Sequence, residues 1–419
     1  RVGARGPLRA ACASPHCSTV SAEIPAMRFA ARLAIPGSGI REVMTRAQAL
    51  RAAGKEVINW HIGRPDFDTP AHIKASASAA MAAGHVHYAP TPGIPALREA
   101  IAEQSAREWG LGSGSVAPER VVVCNGGMEA VFATMLSVID HGDEVIVPTP
   151  NWPNIRWAVQ LVGGTPVEVP LDQGILTAEA IDNATTSRTK AVVLSSPNNP
   201  LGTCSSASEL RRIADVAIKR DLLVLSDETY SRLYFGSAED EVAPSILSVP
   251  GMADRSVAFG TFSKTYAMDG WRLGWAVVPS ASDGVQLAKA RYYISACSPT
   301  FTQHAAVTAL TDSQDCVREM VAAYRARRDA IVDGLSNIEG VTLPGGRPEG
   351  AFYVFPNVSK FGNSGDIAKA LLEEHGIACV DGAVFGDEGD GHLRIAYSCS
   401  LEDCQRGVER LAKALASMR

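Results

Sequence analysis

Within Gly260–Trp275, reading G-T-F-S-K-T-Y-A-M-D-G-W-R-L-G-W, one lysine, Lys264, follows the hydroxyls of Thr261 and Ser263, and Arg272 comes eight residues later. Apolar runs flank the stretch, Ser256–Phe259 before it and Leu273–Val278 after it. A lysine held between buried strands is costly as a cation and shifts its pKa readily. As a neutral amine it is a nucleophile able to form a Schiff base with a carbonyl. The arginine suits a phosphate, which it can grip with two parallel N–H donors. A surface loop with a solvated lysine and a structural arginine fits the same residues, so the other polar residues at comparable positions must decide.

Those residues stand where apolar runs end. After Val121–Cys124 comes Asn125-Gly126-Gly127-Met128 and then a helical pattern; a glycine turn into a helix offers free N–H groups to an anion, or is simply a turn. After Lys190–Ser195 comes Ser196-Pro197-Asn198-Asn199-Pro200-Leu201-Gly202, whose two amides either direct donors at a ligand oxygen or build an ordinary Asn-Pro turn. After Leu222–Ser226 comes Asp227-Glu228-Thr229-Tyr230. A buried carboxylate there needs a cation, such as a protonated pyridine, unless Asp227 caps a helix. Tyr230 is placed to donate to a phenolate. Trp152, in Pro150-Asn151-Trp152-Pro153-Asn154, either stacks on a flat ring or fills a core. Arg394, inside the apolar His392–Ala396, calls for a carboxylate ligand or an internal salt bridge. Phosphate donors, a ring stacker, a phenolate partner, a pyridinium partner and a Schiff-base lysine together describe a pyridoxal 5′-phosphate site.

The elements that must position them alternate. Strand-like runs at Val121–Cys124, Glu144–Val147, Pro166–Val169, Lys190–Ser195, Leu222–Ser226, Ser256–Phe259 and Leu273–Val278 are separated, for the most part, by helical patterns at Glu129–Ile139, Trp152–Leu161 and Ser206–Lys219. Runs apolar on both faces require a sheet covered by helices, so an α/β domain with a mainly parallel seven-stranded sheet is predicted. No helix separates the last two runs, which allows one antiparallel strand. In such a sheet, ligands bind outside the carboxyl ends of the strands. Ahead of the sheet, helices are predicted at Ile40–Ala53, Pro70–Ala83 and Pro95–Glu108, with a short strand at Val57–Ile62. After it come helices at Ser282–Ser295, Thr302–Thr311 and Cys316–Leu335, and then a smaller α+β part with strands at Ala351–Phe355 and His392–Tyr397 and helices at Asp366–His375 and Leu401–Ala416. The expected division is 27–64 as a segment packing with the small domain, 65–310 as the large domain and 311–419 as the small one.

The 419 residues, 46% hydrophobic and 20% charged with a net charge of −6, suit a globular protein with a large core and offer no basic field for nucleic acid. Nine cysteines without a C-x-x-C pair suggest neither a disulfide framework nor a zinc site, and a reducing compartment, the cytoplasm, is expected. No apolar run reaches the ~18 residues of a membrane span. Arg1–Ala26, with Arg1, Arg5, Arg9 and several serines, has the composition of an organelle transit peptide and equally that of a translated extension ahead of Met27; it is expected to be disordered.

From Met27 onward the sequence closely resembles the class I/II aminotransferases of the aspartate aminotransferase fold (pyridoxal-phosphate fold type I). The resemblance is carried by I-G-R-P-D-F-D-T-P (62–70), H-Y-A-P-T-P-G-I-P-A-L-R (87–98), N-W-P-N (151–154), S-P-N-N-P-L-G-T (196–203), S-D-E-T-Y (226–230), S-K-T-Y-A-M-D-G-W-R-L-G (263–274) and L-R-I-A-Y (393–397). It implies an enzyme of amino-acid metabolism moving an amino group between an L-amino acid and a 2-oxo acid, with glutamate/2-oxoglutarate as one pair. By the resemblance, Lys264 carries the cofactor as a Schiff base and shuttles protons, Asp227 pairs with the pyridinium, Asn199 and Tyr230 bond the ring oxygen, and Trp152 stacks on the ring. The Gly126-Gly127-Met128 turn, Thr261 or Ser263, and Arg272 hold the phosphate. Tyr88 reaches the phosphate of a second copy, which implies a homodimer. Arg394, Asn199, Trp152 and the Gly63 backbone hold the substrate.

Two residues depart from the pattern. Some relatives carry a lysine at Met128 that grips a side-chain carboxylate, and methionine cannot do that, so a pocket for a neutral or apolar side chain is expected. Arg64, where relatives often carry an acid or amide, opposes this: it would bind a distal carboxylate or a surface acid. The same chemistry also serves carbon–sulfur β-elimination, the alternative enzymatic reading. A regulator with an aminotransferase-like module would need a helix-turn-helix, for which residues 1–35 are too short and too broken by Gly and Pro.

Overall fold

Each central strand divides its side chains between two cores, because successive residues of a strand point to opposite faces. Val121, Val123, Ile146, Val192, Val224 and Ala258 enter one buried cluster, and Val122, Cys124, Val145, Val193, Leu225 and Val257 enter another. The computed structural model describes residues 28–236 and 241–418; the expected disorder of Arg1–Ala26, with Cys12 and Cys17, lies outside them. Residues 28–34 hold one 3-10 turn, Ala31–Leu33. Residues 35–419 make the unit described here.

Seven strands form the main sheet. Across it they run Val121–Cys124, Gly274–Val277, Ser256–Thr261, Leu223–Asp227, Thr189–Ser195, Glu144–Thr149 and Thr165–Pro170. Gly274–Val277 is antiparallel to both its neighbours and every other pairing is parallel, as the missing crossover helix before that strand predicts. The registers Cys124↔Gly274, Thr261↔Gly274 and Ser195↔Asp227 bring the polar strand ends to one edge. Thr165–Pro170 is an edge strand, partly exposed and carrying Pro166 and Pro170, where a missing donor costs least.

The covering helices follow from caps and spacing. In Ala207–Lys219, Ser206 accepts from the Glu209 N–H at 3.2 Å, and Leu210, Ile213, Ala214 and Ala217 recur on one buried stripe. The helix Ala71–Ala82 packs with Pro95–Glu108 and Thr300–Thr311 in the first cluster, while Gly127–Val138 and Asn154–Leu161 lie in the second. The short helix Ala178–Ala184 was not legible in the sequence, because its seven residues give too few apolar turns; Thr177 caps it, accepting from the Ala180 N–H.

A third cluster gathers Met320, Tyr324, Ile331 and Leu335 of the helix Asp315–Ser336 with Phe352, Tyr353, Ile395, Tyr397 and Leu411, and draws in Ile58, Trp60 and Tyr230. Its strands are shorter than expected. Tyr353–Val354, Leu393–Ala396 and Val380–Asp381 make an antiparallel trio, and the expected strand Val57–Ile62 reduces to Ile58–Asn59, paired in parallel with Ile377–Ala378. Ala351 bends the chain ahead of Tyr353 with φ of 58°. After Asn59, the carbonyls turn to other donors, as described below.

Gly407, on the buried face of the helix Leu401–Ser417, has no room for a Cβ beside the Trp60 indole. Gly407→Ala is expected to lower stability by about 1–3 kcal/mol, read as a lower urea midpoint with an unchanged slope.

Candidate active site

Four consecutive carbonyls after the strand Ile58–Asn59 each serve a different donor. Trp60 O accepts from the Ala396 N–H at 2.8 Å, His61 O from Arg394 Nη2, Ile62 O from Ser398 Oγ at 3.2 Å, and Gly63 O from Lys264 Nζ. This strip brings the two candidate cations to neighbouring residues. Neither has an ion-pair partner among the described residues. Burial pushes the Lys264 ammonium down to about 8; Asp269 opposes the fall, Arg394 and Arg272 add to it, and Asp227 opposes it. Burial likewise lowers the Arg394 pKa. Arg394 is 1% exposed, its Nε has no acceptor, and its guanidinium lies 4.8 Å from the Tyr353 ring and 5.0 Å from the Phe385 ring. No internal salt bridge reaches it among the described residues, and an unpaired buried guanidinium walled by aromatic rings is suited to a carboxylate.

Asp227 ends the strand Leu223–Asp227 and caps no helix; its Oδ1 accepts from the Thr229 N–H at 3.1 Å in a turn. Burial raises its pKa, against the pull of Thr229 and Lys264, so the carboxylate is short of a cation. Beside it Tyr230 is buried, with its hydroxyl 2.8 Å from that of Tyr353, and burial lifts its pKa well above the usual range. The two amides of the Pro-fixed turn differ. Asn198 is used by the turn itself, accepting from Leu201 N–H through Oδ1 and from Gly202 N–H through its carbonyl. Asn199 is buried with Oδ1 unpartnered. Trp152 is half-buried against the cluster holding Cys124 and Val147.

The helix Gly127–Val138 opens at this edge without a side-chain cap, and neither the Gly127 nor the Met128 N–H reaches a described acceptor. Gly126 has φ of 93°, and a Cβ there would lie 2.5 Å from an Arg272 nitrogen. Arg272 itself takes a left-handed φ of 56° and donates to Asp269 O at 2.8 Å. Thr261 Oγ1 and Ser263 Oγ are buried 2.9 Å apart. Tyr88 stands apart, 93% exposed.

These residues fit pyridoxal 5′-phosphate. Free helix N–H groups, two hydroxyls and Arg272 suit a phosphate, the cation-poor Asp227 suits a ring nitrogen, and the buried amide and phenol suit a ring oxygen. Sequence reasoning missed Tyr353, whose hydroxyl meets Tyr230, whose ring walls Arg394, and which sits where Gly63 would otherwise carry a Cβ. Its only signal was one hydroxyl within the apolar Ala351–Phe355. The sequence also left Arg64 open; it is exposed, with Nε 3.4 Å from Asp269 Oδ2.

Known proteins resemble this chain over most of its length. Residues 55–411 match the profile of the family described as aminotransferase class I and II. A probable aspartate/prephenate aminotransferase of Aquifex aeolicus is 38% identical over 382 residues, 89% of this chain and 94% of its own. Aromatic-amino-acid aminotransferase 2 of Thermococcus litoralis is 34% identical over 384 residues, 90% of this chain and 95% of its own. The structure of aspartate aminotransferase from Thermus thermophilus with maleate matches with a TM-score of 0.86 at 36% identity, covering 93% of this chain and 100% of that one. The chain belongs to the class I and II aminotransferases, pyridoxal-phosphate-dependent enzymes that move an amino group between an amino acid and a 2-oxo acid.

A lysine whose pKa falls on folding binds fewer protons folded than unfolded between about 8 and the usual 10.5, so stability rises with pH across that window. In cofactor-free protein, the stability of Lys264→Met relative to the native chain is expected to be highest below pH 8. It should then decline by on the order of 2–3 kcal/mol by pH 10.5. Urea unfolding of both proteins at several pH values measures the difference.

Proposed function

We propose that the chain binds pyridoxal 5′-phosphate on Lys264 and uses it to move amino groups from L-amino acids with neutral or apolar side chains to a 2-oxo acid. One observation carries this reading: a half-buried, easily neutralised lysine and a buried, unpaired arginine hold nearby carbonyls of one strip, Gly63 and His61. The arginine is suited to an α-carboxylate, and the lysine then stands beside the substrate's Cα.

When bound, the cofactor supplies an electron sink for the pair left as the Cα–H bond breaks. Asp227 holds the ring nitrogen's proton by its negative charge. Asn199 and Tyr230 donate to the ring oxygen, and Trp152 covers the ring face. The Gly126–Met128 turn, Thr261, Ser263 and Arg272 grip the phosphate. Arg394 fixes the α-carboxylate with help from Asn199 and Gly63, and so orients the Cα–H bond. Once the substrate's amino group has displaced it from the cofactor, Lys264 Nζ would be free to accept the Cα proton as general base and to donate it as general acid.

Met128 supports the neutral side-chain preference, since its sulfur accepts from Asn154 Nδ2 at 3.5 Å and brings no charge. Arg64 does not oppose it, because its guanidinium is engaged by Asp269. A homodimer is proposed in which Tyr88 reaches the other copy's phosphate, supported by its exposure and that of Tyr292 and Tyr293. A large domain over 65–310 and a small one over 311–419 is proposed from the separate third core, which also takes in Ile58 and Trp60 of the expected segment 27–64. The cytoplasm is proposed from the seven free cysteines among the described residues. No helix among those residues is long and apolar enough to cross a membrane.

Borohydride treatment of the cofactor-loaded protein is expected to fix the cofactor on the peptide bearing Lys264, by mass spectrometry, and nowhere in Lys264→Ala; labelling elsewhere would overturn the assignment. Arg394→Met is expected to raise the KM for every amino donor by roughly 100-fold, the value of a lost charged, bidentate contact. Met128→Lys, assayed with aspartate, alanine, leucine and phenylalanine, is expected to shift kcat/KM toward aspartate by about tenfold. An unchanged preference would remove the pocket assignment.

A further inference from the structure

Beside the phosphate turn lies an ion pair that the proposed chemistry does not use. Glu129 stands in the first turn of the helix Gly127–Val138, and its carboxylate accepts from the Asn125 N–H and from Ser295 Oγ. Arg291, on the helix Ala281–Ser295, is 0% exposed and brings Nε to 3.5 Å from Glu129 Oε2. The rest of its guanidinium is spread over two other segments. Nη1 donates to Thr91 O at 2.8 Å and Ala296 O at 3.1 Å, and Nη2 donates to Ser298 Oγ at 2.7 Å. Asn125 Nδ2 closes the ring on Ser295 Oγ at 3.0 Å. The phosphate turn, the loop that carries Tyr88 and the chain after residue 295 are thus tied at one point.

A carboxylate in the first turn of a helix ordinarily complements the helix dipole. Here the same helix end is where a phosphate is to bind, and two anions there repel with little water to screen them. Arg291 supplies the compensating charge. Its Nε has no hydrogen-bond acceptor, so its link to Glu129 is one of charge, not of a shared proton. A pair buried at a desolvation cost needs a reason beyond stability.

We infer that Glu129 and Arg291 are positioning residues for the cofactor's phosphate: Glu129 fixes the Asn125–Met128 turn through the Asn125 N–H, and Arg291 cancels the charge that would otherwise repel the phosphate. This inference rests on the proposed pyridoxal-phosphate site. It assigns the pair to the phosphate and not to the ring.

The test titrates cofactor-free protein with pyridoxal 5′-phosphate and with pyridoxal, which lacks the phosphate, following intrinsic fluorescence. Arg291→Met is expected to weaken binding of the phosphorylated form by roughly tenfold or more and to leave pyridoxal within about twofold. Adding Glu129→Gln to it is expected to restore most of the loss, a coupling that a double-mutant cycle isolates. Glu129→Gln alone keeps an acceptor for the Asn125 N–H and is expected to raise the preference for the phosphorylated form. Equal weakening of both ligands by Arg291→Met, or a double variant no better than Arg291→Met, overturns the inference. Should Arg291→Met not fold, Glu129→Gln alone decides, since a fall in that preference overturns it as well. Native protein that binds neither ligand sinks the functional reading itself, whereas native discrimination with unresponsive variants sinks only this inference.

Discussion

Two cations, Arg394 buried and Lys264 half-buried, share one strip of backbone, and neither has an ion-pair partner among the described residues. Lys264 and Arg394 both donate to carbonyls between His61 and Gly63. A carbonyl dipole compensates a charge only in part, so each group keeps much of its desolvation cost. The lysine meets that cost by giving up its proton more readily, as its pKa of about 8 records. The arginine cannot deprotonate in any useful range and instead waits for an anion. The roles proposed for the two, nucleophile and receptor, are thus two responses to the same constraint.

That constraint reaches the rest of the fold through the strip itself. Residues 58–63 begin with Ile58–Asn59 paired to Ile377–Ala378, pass carbonyls to Ala396 and Arg394, and end under Tyr353, where only a glycine leaves space for its hydroxyl. The main sheet delivers Lys264, Asp227 and the Gly126–Met128 turn to this side because six of its strands are parallel and end at one edge. The antiparallel Gly274–Val277 lets the chain leave Thr261, form the short helix bearing Lys264, and return beside Gly126. Lys264 and Arg272 therefore flank the same sheet edge although eight residues separate them.

Much of this was legible in the residues. The seven runs of the sheet were found with ends within two residues, because most of its strands are buried on both faces and leave an unbroken apolar signal. Pro95–Glu108 was found to the residue, fixed by a proline at its start. The small strands were overdrawn: Val57–Ile62 looks continuous in hydropathy, but its last carbonyls face side chains instead of a neighbouring strand. Asn198 and Asn199 looked equivalent, and only the turn's own hydrogen bonds separate them.

The sequence by itself determined which chemistry was available: residue types at strand ends depend on local order, and hydrophobic periodicity reports where strands stop. It also determined the sheet's class, since burial on both faces is written in composition. Only the tertiary structure decided which polar groups stay unpaired. That Arg394 has no ion-pair partner among the described residues, that Arg64 lies beside Asp269, that Tyr353 meets Tyr230 and that Arg291 lies beside Glu129 are facts about residues far apart in the chain. Pairing of that kind depends on three-dimensional distance and on the exclusion of water, and neither is a function of spacing along the sequence.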